Sequence, residues 1–141
     1  MNQANITLPS YTAGSINLAS SDLGASIVSV TDDFFATASR MLAETEPVFI
    51  PDKYDDNGKW MDGWESRRRR IPGHDHAVIR MIAPGQLLGF DVDTRYFTGN
   101  YPPGCSIEAC FIENGDPDED TKWTELVGKS DLGPDRHHFF Q

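Results

Sequence analysis

The sequence is short of cysteine, of cations and of long apolar runs, and each shortage closes off a class of protein. Two cysteines, Cys105 and Cys110, in 141 residues are too few to staple a small extracellular domain, so both are expected as reduced thiols of a cytoplasmic protein. Twelve Lys and Arg against 22 Asp and Glu leave a formal charge of −10. That balance argues against nucleic acid or an anionic membrane as the main partner, since both need a broad basic footprint. No apolar run approaches the ~20 residues of a membrane span, and Met1 to Ser20 has neither the basic start nor the apolar block of a secretory signal. Helical periodicity is almost absent. What remains is a single domain of 15.7 kDa, large enough to bury a core.

The chain reads as short strands separated by turns. Residues 1–20, rich in Asn, Ser, Thr and Gly, form a lead-in without chemistry, and residues 21–141 form the domain proper. Ser26–Val30 alternates and is β-branched, which predicts a strand, and Thr31 with Asp32 is placed to cap a short helical turn through Phe34 and Phe35. Val48–Ile50 is a short extended run. Ala77–Ile82 and Leu87–Thr94 read as strands, the second with Leu88, Phe90 and Val92 on one face and Asp91 and Asp93 on the other. Two carboxylates so spaced repel, which raises one pKa unless a cation intervenes, so the pair suits acid–base work or a scaffold held by arginines. Ser106–Ile112 alternates, with Ile107, Ala109 and Phe111 together. Thr124–Val127 begins a further strand, and Ser130–Arg136 is a loop leading to His137–Phe140. The expected buried set is Leu88, Phe90, Val92, Ile107 and Phe111. Many short strands with closely spaced turns predict an all-β sandwich, and no internal repeat is visible.

One stretch organises the rest. From Lys59 to Asp75 the chain packs Trp60 and Trp64, Asp62 and Glu65, the four consecutive arginines Arg67 to Arg70, and His74 between glycines. Guanidinium forks match carboxylates and phosphates, so such a run in an acidic chain is either an anion site or a solvated, charge-balancing face. In an extended strand Arg67 and Arg69 share one side, and Arg68 and Arg70 the other. Thr98 to Gly104 is a loop stiffened by Pro102 and Pro103, where Thr98 and Asn100 can orient an amide or carboxylate.

Gly58 to Arg70, Gly73-His74-Asp75, Gly89 to Thr94 and Phe97 to Pro103 are long motifs. With Asp22-Leu23-Gly24, Asp32 to Phe35, Pro47 to Ile50, Ser106 to Cys110 and His137 to Phe139 in order, the chain resembles the first repeat of the allantoicase family, from about Asp22 to the last residue. His76 departs from the pattern, where Trp is often found. The resemblance implies a jelly-roll β-sandwich similar to galactose-binding-like domains, and a hydrolase of purine breakdown that cleaves allantoate to ureidoglycolate and urea. It also implies a second repeat in tandem. The chain is expected to be truncated at the C-terminal end of the first repeat, with its last strands missing, and to form a homo-oligomer.

Residue chemistry distributes the roles. Loss of urea from a carbon bearing a carboxylate and two ureido groups needs a cation for the carboxylate, an acid for the departing urea and a base for water. Arg67, Arg68 and Arg69, with Thr98 and Asn100, are candidates for substrate binding. His74 or His138 is the candidate acid, and Glu65, Asp75 or Glu108 the candidate base. No cofactor is assigned and no metal: His74 and His76 with Asp75, His137 and His138 offer ligands enough for zinc or manganese, but a His-x-His pair alone is weak evidence. A rival reading is a non-catalytic module in which Trp60, Trp64 and Tyr101 stack on a sugar and Asp and Asn bind hydroxyls. A third is an inactive half completed by a second repeat or another subunit.

Overall fold

In the computed structural model, which describes residues 6–141, each hydrogen-bonded ladder is antiparallel and two strands wide. The strands are β1 (Ser26–Val30), β2 (Tyr54–Asp55), β3 (Gly58–Lys59), β4 (Ala77–Arg80), β5 (Phe90–Asp93), β6 (Gly104–Ala109), β7 (Thr124–Asp131) and β8 (His137–Phe140). They pair as β1–β4, β2–β3, β5–β8 and β6–β7. Three short 3₁₀ turns, Ser10–Thr12, Ser21–Leu23 and Ala38–Leu42, are the only helical pieces among the described residues. Among the described residues no helix is long and apolar enough to cross a membrane. The chain is thus all-β, as its alternating patterns predict, although hydrogen bonding stops at two strands per ladder, short of the wide sheets of a sandwich.

Of the expected lead-in, residues 1–5 lie outside the described residues. The rest is tied to the body: Tyr11 donates its hydroxyl to the Phe90 carbonyl at 2.9 Å, and the Ile82 N–H reaches the Leu18 carbonyl at 3.1 Å. Behind Gly89 there is no room, since an added Cβ would lie 2.5 Å from the Tyr11 ring.

The core is small. Ala25, Ala38, Leu42, Met61, Phe97, Val127 and Leu132 are its buried apolar residues. Phe90, Val92 and Ile107 are half-buried, whereas Leu88 and Phe111, expected inside, are 47% and 69% exposed. The reason is where the ladders stop: β5 starts at Phe90, after Leu88, and β6 ends at Ala109, before Phe111. Beyond a ladder's end, alternation no longer assigns a face. Val48–Ile50 likewise joins no ladder, and all three side chains are exposed. β7 runs on to Asp131, so the loop expected from Ser130 begins later.

The accessible surface is 10060 Å², against about 7,300 Å² for a typical monomer of this mass. Among the described residues, large apolar side chains such as Ile16, Tyr54, Ile71 and Phe111, each at least 66% exposed, contribute to that excess.

One corner holds the loops in place. Thr94, buried, donates its hydroxyl to the Gly133 carbonyl at 2.7 Å, and its N–H reaches the Arg136 carbonyl at 2.9 Å. Tyr96 and Asp135 both have left-handed backbones, φ 69° and 51°, and Asp135 Oδ1 accepts the Tyr96 N–H at 2.8 Å. Phe97 is carried inward onto Gly63, where a Cβ would come 3.2 Å from its ring.

Candidate functional site

The Trp64–Arg67 segment is clamped along residues 32–36. Ala36 and Glu65 form an isolated antiparallel bridge, with N–H to carbonyl bonds of 3.1 Å in both directions. The Trp64 indole N–H donates to the Asp32 carbonyl at 2.8 Å. At the far end, Asp32 Oδ2 accepts the Arg67 Nε–H at 2.7 Å, while Oδ1 accepts the N–H groups of Phe34 (3.0 Å) and Arg67 (3.2 Å). The expected cap is therefore a local turn rather than the start of a helix. The Phe34 N–H is the main cause holding the Asp32 carboxyl below its usual pKa. Burial opposes it, and the Arg67 hydrogen bonds and charge reinforce it.

Arg67 to Arg70 form no strand, so the expected alternation of faces is replaced by separate fates. Arg67 lies over the Phe34 ring, 5.1 Å from its centroid, and its side chain is 63% exposed. Arg69 turns to Asp75 at 3.6 Å and packs on Gly73 (φ 130°), where a Cβ would meet its Nε at 2.8 Å. Arg68 and Arg70 are exposed and make no ion pair among the described residues. Asp75 is also held by the Thr31 hydroxyl at 2.8 Å, so it is engaged twice.

Glu65 and Asn100 meet: the Asn100 amide donates to Glu65 Oε1 at 2.9 Å. Glu65 and Arg67 stand two residues apart in sequence, next to the Ala36–Glu65 bridge. A cleft of about 210 Å³ bordered by Phe34, Ala36, Arg40, Asn57 and Trp60 does not include them; Arg67 is exposed and Glu65 half-buried. Thr98 is exposed in the same loop as Asn100 and forms no side-chain hydrogen bond among the described residues. Glu108 lies on β6 opposite Glu125, a like-charge cross-strand pair, and forms no ion pair among the described residues.

The histidines divide differently from expectation. His138 spends both ring nitrogens on backbone: Nε2 accepts the Gly133 N–H at 2.8 Å and Nδ1 donates to the Val92 carbonyl at 2.8 Å. In this arrangement neither ring nitrogen is left for a ligand. Its neighbour His137 instead faces Asp91, Nδ1 to Oδ2, at 2.6 Å. Asp93 is gripped by Arg95, with Nη2 to Oδ2 at 2.7 Å, and Arg95 also pairs with Glu46. Burial pulls the Arg95 pKa down, but the two carboxylates outweigh it and raise the value overall. The acids of β5 are thus held by Arg95 and His137, and none by the run from Arg67 to Arg70.

His74 and His76 do not sit on a strand; their rings are 6.2 Å apart, and no metal cluster forms around them among the described residues. Asp91, Asp93 and His137 do bring ligand atoms within 4.8 Å of one another, but each is already paired internally. Sequence reasoning missed Asp32, Arg95 and His137 as organisers; Arg67, Glu46 and Asp91, with which they pair, lie 35, 49 and 46 positions away, whereas the Arg95–Asp93 pair spans two positions and was within local reach. Of the aromatic platform considered for a sugar, Trp60 is covered: Lys53 Nζ and the Arg40 guanidinium sit 4.1 and 5.0 Å from its ring centroid.

The family profile "Allantoicase repeat" matches residues 16–141. The chain belongs to the allantoicase repeat family. Its relatives include a probable allantoicase of Rhizobium meliloti (strain 1021), 55% identical over 140 residues, a match covering 99% of this chain and 41% of that protein. A probable allantoicase of Pseudomonas fluorescens (strain Pf0-1) is 52% identical over 126 residues, covering 89% and 38%. Among solved structures, one described as "Structure of allantoicase" superposes with a TM-score of 0.75 at 35% identity, over 87% of this chain and 37% of that one. The Saccharomyces cerevisiae allantoicase gives 0.74 at 35% identity, over 89% and 38%. The repeat described here thus spans about two fifths of the length of the curated relatives it matches.

Proposed function

We propose that this allantoicase repeat carries an allantoate site, and that the protein containing it hydrolyses allantoate to ureidoglycolate and urea. The observation that carries the reading is the anchored Arg67 beside the Glu65–Asn100 pair. Arg67 gives its Nε–H to Asp32, which leaves the two terminal nitrogens to take a carboxylate as a fork. Glu65, steadied by Asn100, is the base we assign to water. His74, whose ring forms no hydrogen bond among the described residues, is the acid for the departing urea. Departure of urea from the ureido-bearing carbon leaves a nitrogen-stabilised cation, and Glu65 removes a proton from the water that captures it. We read the finer architecture as a jelly roll of the galactose-binding-like kind. A second repeat is the partner we assign to the uncovered surface, since the excess area exceeds the ~800 Å² per partner of an ordinary interface. Covering the open site would also exclude water and strengthen its electrostatics.

The test is urea release from allantoate, by this chain and by a form continued through a second repeat. The continued form should turn over and this chain alone should do so weakly. In the active form Arg67→Lys should lower kcat/KM by about one to two powers of ten, as the fork is lost while the charge stays. No urea release from either form would reject the reading.

A further inference from the structure

Asp32 touches the Trp64–Arg67 segment at three points and touches it from outside the arginine motif. Its carbonyl takes the Trp64 indole N–H, Oδ1 takes the Arg67 backbone N–H, and Oδ2 takes the Arg67 Nε–H. Phe34, two residues on, lies under the same guanidinium. Arg67 is therefore fixed at its backbone, along one edge and across one face, and what remains free is its terminal fork. A free arginine must be ordered when a ligand binds, and that loss weakens binding; here the ordering is built in.

We propose that Asp32 is the positioning residue of the site: it aims the Arg67 fork at the substrate carboxylate. The inference rests on the assignment of Arg67 made above. Its two carboxylate oxygens divide the work, Oδ1 holding the backbone turn and Oδ2 holding Nε. Asparagine with its oxygen at Oδ1 keeps the turn and sets an N–H₂ against Nε–H, donor against donor, so Asp32→Asn releases the arginine while sparing the local fold. The pairing partly cancels the Arg67 charge, but the exposed Arg68 and Arg70 keep the neighbourhood cationic.

In the urea-releasing form, Asp32→Asn should raise KM for allantoate about ten- to a hundredfold with kcat little changed, the mark of lost positioning for a group that binds substrate and transition state alike. The double variant Asp32→Asn/Arg67→Gln should be no worse than Arg67→Gln alone, because Asp32 acts through Arg67. A fall in kcat with KM unmoved, or additive losses in the double variant, would overturn the proposal. If Arg67→Gln itself leaves kcat/KM unchanged, the assignment of Arg67 fails and the proposal with it; if Arg67→Gln is impaired and Asp32→Asn is not, only the positioning role fails. A measurement on the unaltered protein is independent of folding defects. The NMR signal of the Arg67 Nε–H should exchange slowly and shift as Asp32 titrates, and exchange as fast as that of Arg68 would equally overturn the proposal.

Discussion

Across the β5–β8 ladder, Asp91 Oδ2 and His137 Nδ1 stand 2.6 Å apart. Burial lifts the Asp91 carboxyl above the usual aspartate range, the His137 hydrogen bond and charge pull it back, and the Asp93 charge adds to the rise. The folded chain therefore holds this proton to higher pH than the unfolded chain does. Stability linked to it is full below the unfolded pKa, about 3.9, and is lost as pH rises through the raised folded value. Asp91→Asn cannot ionise, yet its amide oxygen can still accept from His137. Its stability relative to the native chain should improve across that window. Urea unfolding of both chains from acid to neutral pH checks this, and a difference independent of pH contradicts it.

Arg95 is the hub of a second network, with its side chain only 15% exposed and carboxylates of Asp93 and Glu46 upon it. Arg95→Met should cost about 2 kcal/mol, less than the 3–5 of a fully buried pair because both acids keep some solvent. Adding Asp93→Asn should recover part of the loss, as it removes the charge left without a partner. Chemical denaturation of the single and double variants would show it; equal stability of Arg95→Met and the native chain would refute it.

The two phenylalanines at positions 97 and 111 should respond oppositely to truncation. Phe97 is 8% exposed and packs on Gly63, whereas Phe111 is 69% exposed. Phe97→Ala should cost ~3–5 kcal/mol, and Phe111→Ala within about 0.5 kcal/mol. Thermal melts distinguish them, and comparable losses at both sites would count against this packing.

What the sequence made legible follows from which forces are local. Ser26–Val30 is a strand where its β-branched alternation places one, and Gly104–Ala109 shares only Ser106 to Ala109 with the strand expected over Ser106–Ile112. Leu88 and Phe111 were misplaced because alternation assigns a face only while a partner strand continues. Ion pairs were harder still. Nothing local distinguishes Asp32 from Asp91 or Asp93 as the partner of Arg67, since 35 positions separate the pair that forms. His137 and His138 differ by one position, and the register decides between them. Asp93 pairs with His137 and Asp91 with Phe139, so those four share a face, while His138 falls on the other with Val92.

That register also sets an order of events during synthesis. β1 waits for β4, with Ser26 opposite Arg80, and β5 waits for β8, with Phe90 opposite Phe140. Pairings so distant in sequence must meet the loop-closure entropy before any contact rewards it, which places folding toward the slow end of the millisecond-to-second range. At ~5–20 residues per second, a ribosome takes about 2–10 seconds to pass from β5 to β8. Through that interval β5 is an unpaired template, and a chaperone that shields Phe90 to Asp93 would raise the yield of native chain more than one acting after release.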